Sequence, residues 1–217
     1  MASLAISNLN NHYQTLKPTM PDAVRLRVHR ALSWLEQAER TTDLDTRFIF
    51  LWIAFNAIYA KDFSGVRGAD KGLFTEFLHR ISQLDSEQRL YDLVWQTYSG
   101  SIRILLDNRY TFQPFWDYHN GVISEAEWQA SFEQNKQRAL TALADKNTVA
   151  ILNAVFAHLY TLRNQIVHGG ATHGSSVNRA QHKDACRILG DILPAMIEIV
   201  MMNADREWGK PFYPVVD

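Results

Sequence analysis

Arg163, Asn164 and His168 follow one another as R-N-x-x-x-H and stand directly before Gly169-Gly170. Their types suit one kind of work. An arginine offers a planar fork of donors to anionic oxygens, a histidine changes charge near neutrality and can move a proton, and an amide can orient either partner by hydrogen bonds. The spacing predicts how they stand. With Thr148–His168 read as a helix and Val155 set at zero, Ile151, Leu159, Leu162 and Ile166 lie within about 40° of it and form a core stripe. Asn153, Ala157, Tyr160, Asn164 and His168 fall between about 140° and 220°, on the far side. Arg163 lies on the flank at about 80°, with Phe156 and Val167. It reaches Asn164 and His168 only by swinging its side chain, or else turns to a neighbouring helix or subunit. A second account needs no chemistry: cations in the last turns of a helix are what its dipole favours, and Asn164 is then a surface amide.

The elements that must hold this helix are themselves helical. The chain has 217 residues with 10 Gly and 6 Pro, too few turn residues for a sandwich or barrel. No alternation of period two is long enough for a strand, so the expected fold is all-α, one helical bundle of about seven or eight helices over residues 21–217, after a flexible arm at 1–20. Val24, Val28, Leu32 and Leu35 mark a first helix from Asp22, with Arg27 and Arg30 on its solvated face. A second runs from about Asp45 to Lys61, capped by Asp43 or Asp45. Gly65, Gly68 and Gly72 mark a loop, and Phe74, Phe77, Leu78 and Ile81 a short amphipathic helix. Ser86 with Arg89 opens a helix through about Leu106, and the aromatic segment 107–121 is irregular with one helical turn. Ser124 and Glu127 form a capping-box pattern opening a helix to about Ala144. Asn178 opens the last long helix, to about Asp205, with a kink at Pro194.

Composition narrows the function classes. A net charge of -1 argues against a broad, non-specific nucleic-acid binder while leaving room for a local basic pocket. A single cysteine, Cys186, excludes an intrachain disulfide and a cysteine-cluster metal site. The N-terminal residues lack the pattern of a secretory signal. The longest apolar run, Phe48 to Ala60, is shorter than the roughly 18–20 residues that cross a bilayer, and reads as a helix buried on all sides. The expected location is cytoplasmic, with no membrane partner.

Leu162-Arg-Asn-Gln-Ile-Val-His-Gly-Gly170 resembles the R-N-x-x-x-H motif of the HEPN superfamily, the all-helical ribonucleases and nucleotide-binding modules of prokaryotic defence and toxin–antitoxin systems. Phe48–Tyr59 resembles the early core helix of a bacterial branch of that family. The resemblance implies a stand-alone, metal-independent endoribonuclease, a toxin or defence effector with no cofactor. It implies a homodimer whose two motifs line one cleft, and RNA as substrate. Within that reading His168 is general acid or base, Arg163 neutralises the phosphate, and Asn164 orients the histidine or the phosphate. A non-catalytic dimeric module of the same family, binding RNA, a nucleotide or a protein partner such as an antitoxin, is the alternative.

Other residues carry weaker signals. Tyr160 stacks on a base or packs in a dimer interface. Asn56, in an otherwise apolar helix, makes a structural hydrogen bond or lies near the motif. Arg109, with Arg103, Tyr110, Phe112 and Trp116, forms a basic and aromatic RNA platform or seals an irregular segment onto the core. His173 and His182 fit no common metal spacing and read as histidines of a polar loop and helix start.

Overall fold

The computed structural model describes residues 4–60, 70–176, 178–211 and 213. Among them are ten α-helices and no β-strand, so the class is all-α. The described residues divide into two compact units, one formed by the chain up to Arg89 together with the chain from Cys186 onward, the other by Leu90–Ala185.

Unit 1 contains α1 (Leu4–Leu16), α2 (Asp22–Arg40), α3 (Leu44–Tyr59), α4 (Asp70–Gln83) and the larger part of α10 (Arg179–Met202). The expected flexible arm is instead α1, with Ile6, Leu9 and Tyr13 buried. Those three residues recur at spacings of three and four, enough to make a helix that packs. No residue of α3 is exposed, though half of its residues, Asn56 among them, are half-buried rather than buried on all sides as the apolar run Phe48–Ala60 led one to expect. Asp43 caps it by accepting from the Thr46 N–H at 2.8 Å. Gly72 falls inside α4 rather than in a loop; Gly65 and Gly68 lie outside the described residues.

Arg27 overturns the solvated-face reading. It is 1% exposed. Its Nη2 donates to the carbonyls of Trp208 at 3.1 Å, Gly209 at 3.2 Å and Lys210 at 3.0 Å. Its Nη1 donates to Ile58 O at 3.4 Å and to Ala60 O. Five carbonyls, two of them at the negative end of α3, thus compensate one buried cation. Burial lowers its pKa to about 10, so it stays charged at neutral pH. The helical wheel misplaced Arg27 because its cover comes from an irregular segment 181 residues away, which local periodicity does not register. Arg30 donates to Tyr213 O at 2.8 Å.

Unit 2 holds α5 (Arg89–Asp92, from its second residue), α6 (Ser99–Leu106), α7 (Gln113–His119), α8 (Glu125–Ala144), α9 (Thr148–Val167) and the first turns of α10. The helix expected over Ser86–Leu106 is broken by a π-turn at Leu93–Thr97, closed by Tyr98 N–H to Leu93 O at 2.9 Å. This break and α1 bring the count to ten. The Ser124–Glu127 capping box forms as expected. Segment 107–121 consists of a 3₁₀ turn at Arg109–Thr111 followed by α7. Around it Phe112, Phe115, Trp128 and Phe132 pack ring against ring.

Candidate functional site

The motif is carried by α9. Asn147 starts the helix by accepting from the Ala150 N–H at 3.0 Å. Ile151, Val155, Leu159 and Leu162 are fully buried, as the stripe predicts. Ile166, the stripe's last member, is half-buried, because the helix ends one residue later. His168 is the C-cap, its N–H bonded to Asn164 O at 3.0 Å. That bond stacks Asn164 and His168 one turn apart.

The glycine pair shapes the exit. Gly169 has φ +71°, in the left-handed region that costs a side chain dearly and glycine little. The chain then folds back so that the Ala171 N–H meets Gln165 O at 3.0 Å. A Cβ on Gly170 would lie 3.3 Å from that same oxygen, tighter than an ordinary contact.

On the far side of the helix Ala157 and His168 are exposed, while Asn153, Tyr160 and Asn164 are half-buried. Arg163 makes the swing the wheel requires. Its Nη1 donates to Asn164 Oδ1 at 2.9 Å, and its guanidinium lies 6.0 Å from the centre of the Tyr160 ring. No carboxylate pairs with Arg163 among the described residues. The arrangement is a cation held over a tyrosine, steadied by an amide, beside an exposed histidine at a helix carboxyl end. Chemically, such a set binds an anion and offers it a proton-transfer group.

Arg109 belongs to the same neighbourhood. Within the motif Gln165 turns its amide to the 3₁₀ turn, Nε2 donating to Tyr110 O at 2.7 Å. The Trp116 indole donates to the same oxygen at 2.8 Å. The Arg109 guanidinium lies 5.0 Å from the Tyr110 ring centre and 5.6 Å from that of Phe115, and its Nη2 donates to the Tyr110 hydroxyl at 3.0 Å.

Below the turn, His158 of α9 is 2% exposed and stands 2.6 Å from Thr111 Oγ1 through Nδ1. The Thr111 hydroxyl proton goes to Asn108 O at 2.9 Å, so the consistent tautomer places the histidine proton on Nδ1, donating to Thr111. Nε2 is then a bare acceptor against apolar surroundings, with the Phe112 ring 6.0 Å away. Burial lowers the pKa of His158 to about 4, so it is neutral at physiological pH.

The structure therefore gathers Tyr160, Arg163, Asn164 and His168 on one face of α9 and joins Arg109 to them through Gln165. Asn56 belongs to α3 of unit 1 and is half-buried. His182 is buried in α10 rather than solvated at a helix start, because the helix turns it inward; His173 is exposed. Among the described residues of unit 2, no three His, Cys, Asp or Glu side chains come close enough to share an ion. Gln165 and His158 escaped the sequence reading. Gln165 occupies a spacer position of the motif, and His158 sits at the edge of an apolar stripe, so neither type nor spacing pointed to a partner 47 or 55 residues away.

No protein-family model, curated protein or solved structure matches the chain.

Proposed function

We propose that the protein is a metal-independent endoribonuclease of the HEPN kind, a toxin or defence effector acting as a twofold dimer. One observation carries the reading: the Arg163 guanidinium, unpaired with any carboxylate among the described residues, is held on Asn164 one turn below the exposed His168. RNA carries its own nucleophile. The ribose 2′-OH attacks the adjacent phosphorus, a base takes the 2′ proton, and an acid gives a proton to the departing 5′ oxygen. Arg163 supports this by holding the phosphate oxygens as charge builds on them. His168, solvent-facing and beside that phosphate, transfers a proton, and a second copy in the dimer supplies the second proton-transfer group. Asn164 keeps the arginine in place.

The test is incubation of the purified protein with mixed RNA in EDTA, followed by end-group analysis. Cleavage leaving a 2′,3′-cyclic phosphate and a 5′-OH is expected. A 5′-phosphate product or a strict metal requirement overturns the mechanism. RNA that is bound but left intact selects the non-catalytic module.

A further inference from the structure

We infer that a cavity between α1 and α2 of unit 1 is a binding site for a small organic anion, a carboxylate or phosphate carried on an apolar body. The inference goes beyond the ribonuclease reading and does not lean on it, since the cavity belongs to unit 1 and the motif to unit 2.

Helix periodicity builds two of the walls. Asp22, Arg25, Leu26 and His29 recur at spacings of three and four, so they share one face of α2, beside the stripe from Val24 to Leu35 that enters the core. Tyr13 in α1 and Lys17 just past its end stand four apart and line the facing wall, with the Lys17 ammonium 5.9 Å from the centre of the Tyr13 ring. The Tyr13 hydroxyl donates to Arg25 O at 3.3 Å and joins the two walls. Pro211 closes a third side. It follows directly on the carbonyls of Trp208, Gly209 and Lys210, which Arg27 holds. The cavity measures about 580 Å³, the size of a small-molecule site and far more than a bare phosphate needs. Segments tied together in advance lose little entropy when a ligand enters.

The lining has an apolar and a cationic part. The Tyr13 ring, Ala23, Leu26 and Pro211 give surface that gains by covering an apolar body instead of water. No carboxylate pairs with Lys17 or His29 among the described residues, and both are exposed. Arg25 gives one nitrogen, Nη2, to Asp22 at 2.7 Å, which leaves Nε and Nη1 to a ligand. Asp22 is the one acid of this lining, and that pair answers its charge. Charged donors of this kind hold carboxylate and phosphate oxygens. A neutral ligand forgoes the cations and an inorganic anion forgoes the apolar wall, whereas an organic anion uses both.

Amide chemical-shift titrations of the isotope-labelled full chain with phenyl phosphate and with benzoate test the site. Saturable binding is expected, with the shifts concentrated at Tyr13, Lys17 and Asp22–His29, and the tighter of the two anions reports which head group the site prefers. Phenyl phosphate should bind at least about ten times more tightly than inorganic phosphate, which lacks the ring, and than benzyl alcohol, which lacks the charge. Lys17→Gln weakens binding about tenfold. Asp22→Asn strengthens it about threefold, because a negative charge leaves the lining and Arg25 is freed. Both positions are exposed, so both variants should fold, and circular dichroism checks that they do. Saturable binding by neither anion, shifts centred in unit 2, equal affinity for phenyl phosphate and inorganic phosphate, or wild-type affinity in Lys17→Gln overturns the site. RNA cleavage measured alongside keeps the two readings apart. Cleavage without anion binding defeats this site alone, and anion binding without cleavage defeats the ribonuclease alone.

Discussion

His168 is exposed at the end of α9 and leaves the core untouched, so its chemistry and its structural role can be pulled apart. His168→Ala is expected to change stability by no more than about 1 kcal/mol, the scale of a cation at a helix terminus, and to lower RNA cleavage by at least ~100-fold. Leu162→Ala is the complement. Leu162 is fully buried, so the cavity is expected to cost roughly 2–5 kcal/mol in urea denaturation, with the folded fraction still cleaving. An unfolded His168→Ala, or one that cleaves like wild type, removes the histidine from the mechanism. His158 yields a prediction of opposite character. Its folded pKa of about 4 lies below the 6.5 of an unperturbed histidine. Between those values the unfolded chain binds the proton and the folded chain does not, so stability is complete above pH 6.5 and falls as pH drops towards 4. The whole loss is on the order of 3 kcal/mol. His158→Asn keeps an amide near the Nδ1 position and cannot titrate, so urea midpoints at pH 7 and pH 4.5 should converge relative to wild type. An unchanged pH slope would contradict the assignment. At this scale the wheel placed Asn164 and His168 away from the core and allowed for the swing of Arg163. It left Gln165 as a spacer, since a spacing reading weighs residue type and angle but not what approaches from elsewhere.

At the scale of elements, whatever depends on neighbouring residues was legible. The Asp43 cap, the Ser124–Glu127 box and the start of α9 at Thr148 are each written within four or five residues. The π-turn at Leu93–Thr97 was not legible, for residues 89–97 contain no glycine or proline to announce a break. Nor was the burial of Arg27 in α2, which answers to the segment Trp208–Lys210. Here a substitution is decisive. Arg27→Met fills the space but withdraws every donor from five buried or half-buried carbonyls, and should destabilise by about 3 kcal/mol or more. Arg27→Lys keeps the charge but loses the planar fork that spans acceptors from two segments, and should recover part of that loss only. Denaturation of Arg27→Met within about 0.5 kcal/mol of wild type would mean that the guanidinium contributes nothing net.

At the scale of the whole molecule, the all-helical class followed from scarce turn residues and missing alternation, whereas the partition into two units did not. Neither Leu90 nor Ala185 coincides with a change in composition, and α10 runs unbroken through the second boundary. What separates the units is connectivity. Unit 2 is one continuous stretch, Leu90–Ala185, while unit 1 is drawn from both sides of it.

The grip of Arg27 on residues 208–210 therefore sets an order of events during synthesis. The guanidinium leaves the ribosome early, and three of its five acceptors leave it 181 to 183 residues later. For most of that interval Arg27 has only its two α3 acceptors, Ile58 O and Ala60 O, while every residue of unit 2 becomes available in one piece. Translation should thus complete unit 2 before unit 1, whose last segment is made after it. Chains stalled with residues through 185 emerged are expected to resist limited proteolysis across α9 and to be cut within α2. Chains stalled with residue 211 emerged should resist in both. Protection of α2 at the earlier stall would show that unit 1 closes without its final acceptors.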